Sequence, residues 1–266
     1  IRSSRKDYET KELSSFTSSL TELKDWCIQQ GVTHIAMEST GVYWKPVFNV
    51  LEDERFEIIL VNARHVKNIP GHKTDKKDSA WLSKLLLTGL LKGIFIPPTD
   101  IRELRDLVRY KKKKTQVIAA EKNRMIKILE DCNFKLSSVL SDVQGVSATK
   151  IITAITEGET DVEKLILFVH GKVKTDRETI KKALEGKVTE HHIFMLKMAR
   201  ESIEVNEALI TKIDKQIEKA IENYQVEIDL LQTIDGVGKD SAVAIISEIG
   251  VDMSQFPNEH HLASWG

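Results

Sequence analysis

Leu196, Ile203, Ile210 and Ile217 recur every seven residues, and Ala199, Asn206, Ile213 and Ala220 follow each of them three positions later. A strict period of seven held over four heptads turns a narrow apolar seam along one side of a helix. The pattern predicts a long helix over roughly residues 189 to 224, and such a seam is unstable until another helix covers it. A candidate cover lies upstream. From Thr99 to about Asp131, the positions Ile101, Leu104, Val108, Lys111, Thr115, Ile118, Lys122, Met125 and Leu129 follow alternating steps of three and four, a coiled-coil seam with polar interruptions. The partner of the second seam is therefore the first seam of the same chain, another copy of the protein, or both. Asn206 within the seam has the chemistry of a register device, although a single polar residue is often tolerated there without such a role.

The first hundred residues read differently. Leu13, Phe16, Leu20, Leu23 and Cys27 recur at helical spacing before Gly31, and the strand-like runs 33–37 and 58–61 flank a helical stretch from Val42 to Leu51. Alternation of this kind predicts an α/β domain, closed by Pro97-Pro98. The expected organisation is an α/β domain over 1–98, a helical coiled-coil region over 99–226 and a further helical segment over 227–266. The last contains Gly236-Val237-Gly238 between a short helix and an apolar helix ending near Ile249, the outline of a helix-hairpin-helix. The run from Val143 to Ile152 has a similar outline and reads as a weak echo of it. The chain is long enough for two cores of ordinary size.

Charge excludes little globally and suggests much locally. The 39 basic and 40 acidic residues cancel to a formal charge of -1. Yet Lys111 to Lys114 form one basic block, and Arg64, His65, Lys67, His72, Lys73, Lys76 and Lys77 form another around the carboxylates Asp75 and Asp78. Runs like these are more often a solvated face than a binding site. Cys27 and Cys132 are too few for a disulfide framework or a thiolate zinc site, and they fit a reducing cytoplasm. The most apolar stretch, 85–96, is too short and too interrupted to span a bilayer.

Three carboxylates carry the candidate chemistry. Glu38 ends the first strand-like run, and Asp75 and Asp78 open a helix three residues apart, where like charges repel by roughly 0.2 to 0.5 kcal/mol unless a cation joins them. Oxygen donors of this kind suit Mg²⁺. On spacing alone the plainer reading of Asp75 and Asp78 is an N-cap with an acidic first turn, favourable to the helix dipole. The glycine turn likewise has two readings. Backbone N–H groups at the mouth of the second helix would hold a phosphate, helped by Lys239, or the glycines merely permit a tight turn. Gly41-Val42-Tyr43-Trp44 beside Glu38 reads most safely as core packing.

Five segments taken together resemble the DEDD transposases of bacterial insertion sequences, relatives of the Piv DNA invertases. They are 36–44, 73–79, 140–147, 185–192, and the closing Phe256-Pro257 with 262–265. The resemblance runs in order over nearly the whole chain. It implies a RuvC-like N-terminal domain of the RNase H type, a coiled-coil middle and a C-terminal transposase domain that supplies a nucleophilic serine. It implies recombination of donor and target DNA guided by a structured bridge RNA, and assembly as a homodimer or higher oligomer. Glu38, Asp75 and Asp78 match the second, third and fourth acids of the family tetrad, and so become the expected catalytic Mg²⁺ ligands. Lys73, Lys76, Lys77, Gly236, Gly238 and Lys239 are the expected nucleic-acid contacts. The first Asp of the tetrad and the serine nucleophile are expected outside these 266 residues, and Ser264 matches framework sequence rather than the nucleophile.

Two other function classes compete. A RuvC-like junction nuclease would use the same carboxylates without a covalent intermediate, and a noncatalytic nucleic-acid scaffold would use them only as helix caps.

Overall fold

The computed structural model describes the chain apart from residues 5–6, 64–65, 67–74, 141–144, 172 and 264–266, and apart from the side chains of residues 75–78. It divides into two compact units, Ile1–Ile96 and Pro97–Gly266.

In the first unit, helix α1 (Thr17–Gln29) stops where Gly31 turns to φ +64° and its N–H bonds to the Ile28 carbonyl, a left-handed cap that favours glycine. Strand β1 (His34–Glu38) follows, then helix α2 (Trp44–Leu51) and strand β2 (Glu57–Val61). β1 and β2 pair in parallel with Glu38 opposite Val61, so β1–α2–β2 is a crossover unit, the connection parallel strands require. Helix α3 (Asp75–Leu87) packs on β1, and the two-residue β3 (Gly93–Ile94) adds an antiparallel edge to β2. The three strands stand in the order β1-β2-β3. Leu60, Val61, Leu51, Phe48, Leu85 and Leu20 are among the side chains buried in this unit.

The second unit is entirely helical among the described residues. Helix α4 (Thr99–Asp131) has 33 residues, about 50 Å of helix. Four short helices follow: α5 (Leu136–Val139), α6 (Val146–Thr156), α7 (Val162–Leu165) and α8 (Arg177–Ala183). Helix α9 (Glu190–Ala220) has 31 residues and starts at a capping box. The Thr189 hydroxyl accepts from the His192 N–H while His192 Nδ1 accepts from the Thr189 N–H. That bond leaves Nε2 as the protonated nitrogen, 2.9 Å from Asp131 Oδ2, which ties the start of α9 to the end of α4. Helices α10 (Gln225–Leu231), α11 (Lys239–Ile249) and α12 (Glu259–Ala263) close the chain.

The two long helices pair with each other, antiparallel, within the chain. Met125 and Leu129 share a core with Leu196 and Ala199, whereas Ile101 and Leu104 share one with Ile213 and Ile217. Of the alternatives left open by the heptads, the intramolecular partner is therefore realised. Between the two cores the seam loosens: Lys111 is half-buried and Thr115 exposed. Asn206 is buried there, and its amide donates to the Ser202 carbonyl at 2.7 Å, inside its own helix. The result is a two-helix stalk with a core at each end.

Candidate functional site

Glu38 sits at the carboxyl end of β1, where chains in parallel sheets leave a crevice for ligands. The ladder runs one bond further, from the Ser39 N–H to the Val61 carbonyl at 2.9 Å, and fixes the strand end. Gly41 then takes φ +53°, and the Tyr43 N–H bonds back to the Thr40 carbonyl to close a turn into α2. Trp44 packs edge-on to Phe48 at 5.6 Å between ring centroids, the packing role expected of it, while Tyr43 stands 79% exposed. Glu38 is half-buried, and its Oε1 accepts from the Thr40 hydroxyl at 2.7 Å. Among the described residues no cation is paired with it.

Asp75 is the first residue of α3 and Asp78 lies less than one turn further along the same helix. Their side chains, with those of Lys76 and Lys77, lie outside the described residues, as does Lys73 altogether. The elements are nonetheless brought together: the helix that begins with the two aspartates packs on the strand that ends in the glutamate. A group of three metal-binding side chains is absent among the described residues, a statement that does not extend to Asp75 and Asp78. As a donor set, two aspartates and a glutamate suit a hard, oxygen-seeking divalent ion.

A residue that sequence reading passed over helps to hold α3. Arg2 Nε donates to Ser83 Oγ at 3.1 Å and its terminal nitrogen to the Ala80 carbonyl at 3.3 Å, with the guanidinium stacked 4.4 Å from the Tyr8 ring. Nothing in the local pattern marks an arginine near the N-terminus as a brace for a helix eighty residues away.

A glycine turn joins α10 to α11. The N–H of Val237 bonds to the Ile234 carbonyl, Gly236 takes φ +84°, and Gly238 is the N-cap of α11 without a side-chain cap. Gly236 needs its freedom, since φ there is left-handed. Gly238 does not: its φ is -84°, and a Cβ built there meets nothing within 4 Å. The outer side of this turn is thus open to close approach. Lys239 has a partner, with Nζ 2.7 Å from Glu218 Oε2.

The hairpin of α10 and α11 is held to the stalk by cations. Arg105 donates to the carbonyls of Ser247 and Glu248 at 2.9 and 2.6 Å, satisfying the exposed end of α11. Arg109 forks onto the Glu248 carboxylate through two bonds of 2.8 Å. Lys111 bridges Asp214 at 2.8 Å and Asp240 at 3.1 Å. Burial lowers the Arg105 pKa, whereas the Glu248 carboxylate raises that of Arg109.

A cleft of about 280 Å³ opens at the other side of the seam, floored by Met125, Ile152 and Ile203 and rimmed by Arg200 and Glu204. Arg200 is satisfied there by the Thr156 hydroxyl at 3.2 Å and Glu204 at 3.5 Å. No described helix is long and apolar enough to cross a membrane.

Comparison with known proteins gives two matches. The family model of DEDD transposases of the IS110 type covers residues 1–134, and that of the transposase IS116/IS110/IS902 family covers residues 228–266. A search of curated proteins found no match.

Proposed function

The chain belongs to the IS110 family of transposases, enzymes that act on DNA, and from that premise we propose that it carries out metal-dependent DNA strand cleavage and exchange for an insertion sequence. The observation that carries the proposal is the packing of α3, opened by Asp75 and Asp78, against the strand that ends in Glu38. We read this unit as RuvC-like and the attacking group as a serine of the family's C-terminal transposase domain.

Glu38, Asp75 and Asp78 would hold Mg²⁺, which supplies positive charge to the scissile phosphate and its departing oxygen. The chain's own residues do the rest. Thr40 fixes the rotamer of Glu38 through its hydroxyl, so the carboxylate meets its ligand without first losing rotational freedom. Arg2 pins α3, the helix that the aspartates open, through Ser83 and the Ala80 carbonyl. Lys73, Lys76 and Lys77, next to the carboxylates in sequence, are assigned to flanking phosphates, which position DNA without reading it. The open turn at Gly236 and Gly238 lets backbone N–H groups approach a further phosphate, with Lys239 able to leave Glu218 for it. The serine oxygen displaces one sugar oxygen from phosphorus, and a second sugar oxygen later displaces the serine. Choice of donor and target rests on a guide RNA, and the working form is at least a dimer.

Strand exchange with the cognate RNA tests the reading. Asp75→Ala and Asp78→Ala should each lower exchange by at least a hundredfold, and intact exchange in either would sink the metal assignment. A trapped serine-linked DNA adduct supports the recombinase, whereas cleavage without any adduct selects the junction nuclease.

A further inference from the structure

Between Leu107 and Ala120 helix α4 carries Arg109, Lys111, Lys112, Lys113 and Lys114 and no acid. A block like this is normally a solvated face, and the structure divides it in two. Arg109 and Lys111 turn inward to Glu248, Asp214 and Asp240 and lock the terminal hairpin onto the stalk. Lys112 and Lys113 are exposed, and among the described residues neither has an ionic partner. Lys114 lies 5.0 Å from the centroid of the Tyr110 ring, itself 51% exposed.

The Lys111–Asp214 bridge sets which part of α9 lies at this level. There α9 displays Lys212, Lys215 and Lys219, all exposed and all without a described partner, at i, i+3 and i+7 along the helix. The acids of this section are each taken by an internal cation: Asp214 and Asp240 by Lys111, Glu218 by Lys239, Glu248 by Arg109. Asp240 and Glu218 stay largely exposed within their pairs, and the charges left without an ionic partner among the described residues of this section are of one sign, with the Tyr110 ring beside them. Lysines held at this density repel one another, and a polyanion relieves that cost by releasing its own counterions.

We propose that this section of the stalk is a binding collar for a nucleic-acid single strand, with Lys112, Lys113, Lys114, Lys212, Lys215 and Lys219 meeting phosphates and Tyr110 stacking on a base. Stacking on an exposed aromatic beside lysines tolerates any base, so the collar grips a strand and leaves its sequence unread. The assignment rests on the transposase reading for its context but on none of the carboxylates.

The experiment is equilibrium binding of a fluorescent 20-nucleotide RNA, and of DNA of the same length single-stranded and duplex, to the whole chain at several salt concentrations. Replacing Lys112, Lys113 and Lys114 together by Gln should weaken single-strand binding by about tenfold near 100 mM salt and flatten the logarithmic salt dependence by about 0.7 for each phosphate no longer neutralised. Tyr110→Ala should weaken single-strand binding about fivefold or more and leave duplex binding unchanged. Thermal unfolding should not move in either variant, because these side chains support nothing inside the fold. RNA and DNA strands bound alike mark a general strand grip, and preference for RNA assigns the collar to the guide; both support it. Unaltered affinity and salt slope in the triple variant would overturn it, as would an equal effect of Tyr110→Ala on duplex. Neither variant alters Glu38, Asp75 or Asp78, so Mn²⁺ binding should be unchanged in both, and failure of the collar and failure of the metal site give different results.

Discussion

The two ends of the stalk are built on different physics. At the end around Phe134, the side chains of Phe134, Ile151, Ile155, Leu165, Leu184 and Leu196 are at most 1% exposed, and the ion pairs nearby, such as Lys135–Glu130 and Lys164–Glu159, lie at the surface. At the other end a smaller core of Ile101, Leu104, Ile213, Ile217 and Val243 is supplemented by Arg105, Arg109 and Lys111 reaching across to α11. Apolar burial stabilises irrespective of salt, at about 25 cal/mol per Å², whereas exposed ion pairs contribute little and are screened. The first end thus rests mainly on burial, whereas the second adds ion pairs to a smaller core, so salt should loosen the second more than the first.

The most severe challenge to this contrast is Phe134→Ala. A fully buried phenylalanine should cost about 3–5 kcal/mol on truncation, read as a fall in chemical stability of the helical unit. A loss below about 1 kcal/mol would mean that end does not rest mainly on burial. Next comes Arg105→Ala, which removes two charge-assisted bonds to the carbonyls of α11 and should cost about 1.5–3 kcal/mol. Its signature is local: amide exchange in α11 should quicken while protection around Phe134 stays. Raising salt should quicken exchange in α11 of the unaltered chain in the same way, and equal loss at both ends would erase the distinction.

The smallest expected effect concerns Tyr224, whose hydroxyl donates to Asp100. Burial first, then that bond, pushes the phenol up to about 12. The folded state therefore holds this proton more tightly than the unfolded chain, whose phenol titrates near 10. The contribution is complete below about pH 10 and is lost as pH rises through about 12. Tyr224→Phe should flatten that alkaline decline at the hairpin end, and an unchanged decline would remove Tyr224 from its causes.

Much of this architecture is written in spacing. The helices at Thr99–Asp131 and Glu190–Ala220 fall within a few residues of their seams because seven-residue periodicity outlasts local noise. Other features depend on partners far apart in sequence. β3 is two residues long, too short for alternation to reveal. A Cβ at Gly186 would lie 2.1 Å from the Phe134 ring, so the glycine admits that ring, a contact that no local pattern carries. The block 111–114 looks uniform, but only the fold separates Lys111, which bridges two acids, from Lys112 and Lys113, which meet none among the described residues. At the carboxylates, position along the helix and strand was legible, whereas their role came from resemblance, because an acidic first turn has the same spacing as a pair of metal ligands.

Titration of the 266-residue chain with Mn²⁺, followed by the loss of free-ion paramagnetic resonance, tests the union of strand and helix carboxylates directly. One saturable site should appear in the unaltered chain and weaken at least tenfold in each of Glu38→Gln, Asp75→Asn and Asp78→Asn, with Mg²⁺ competing for it. Equal binding by all four proteins would show that Glu38, Asp75 and Asp78 do not share an ion.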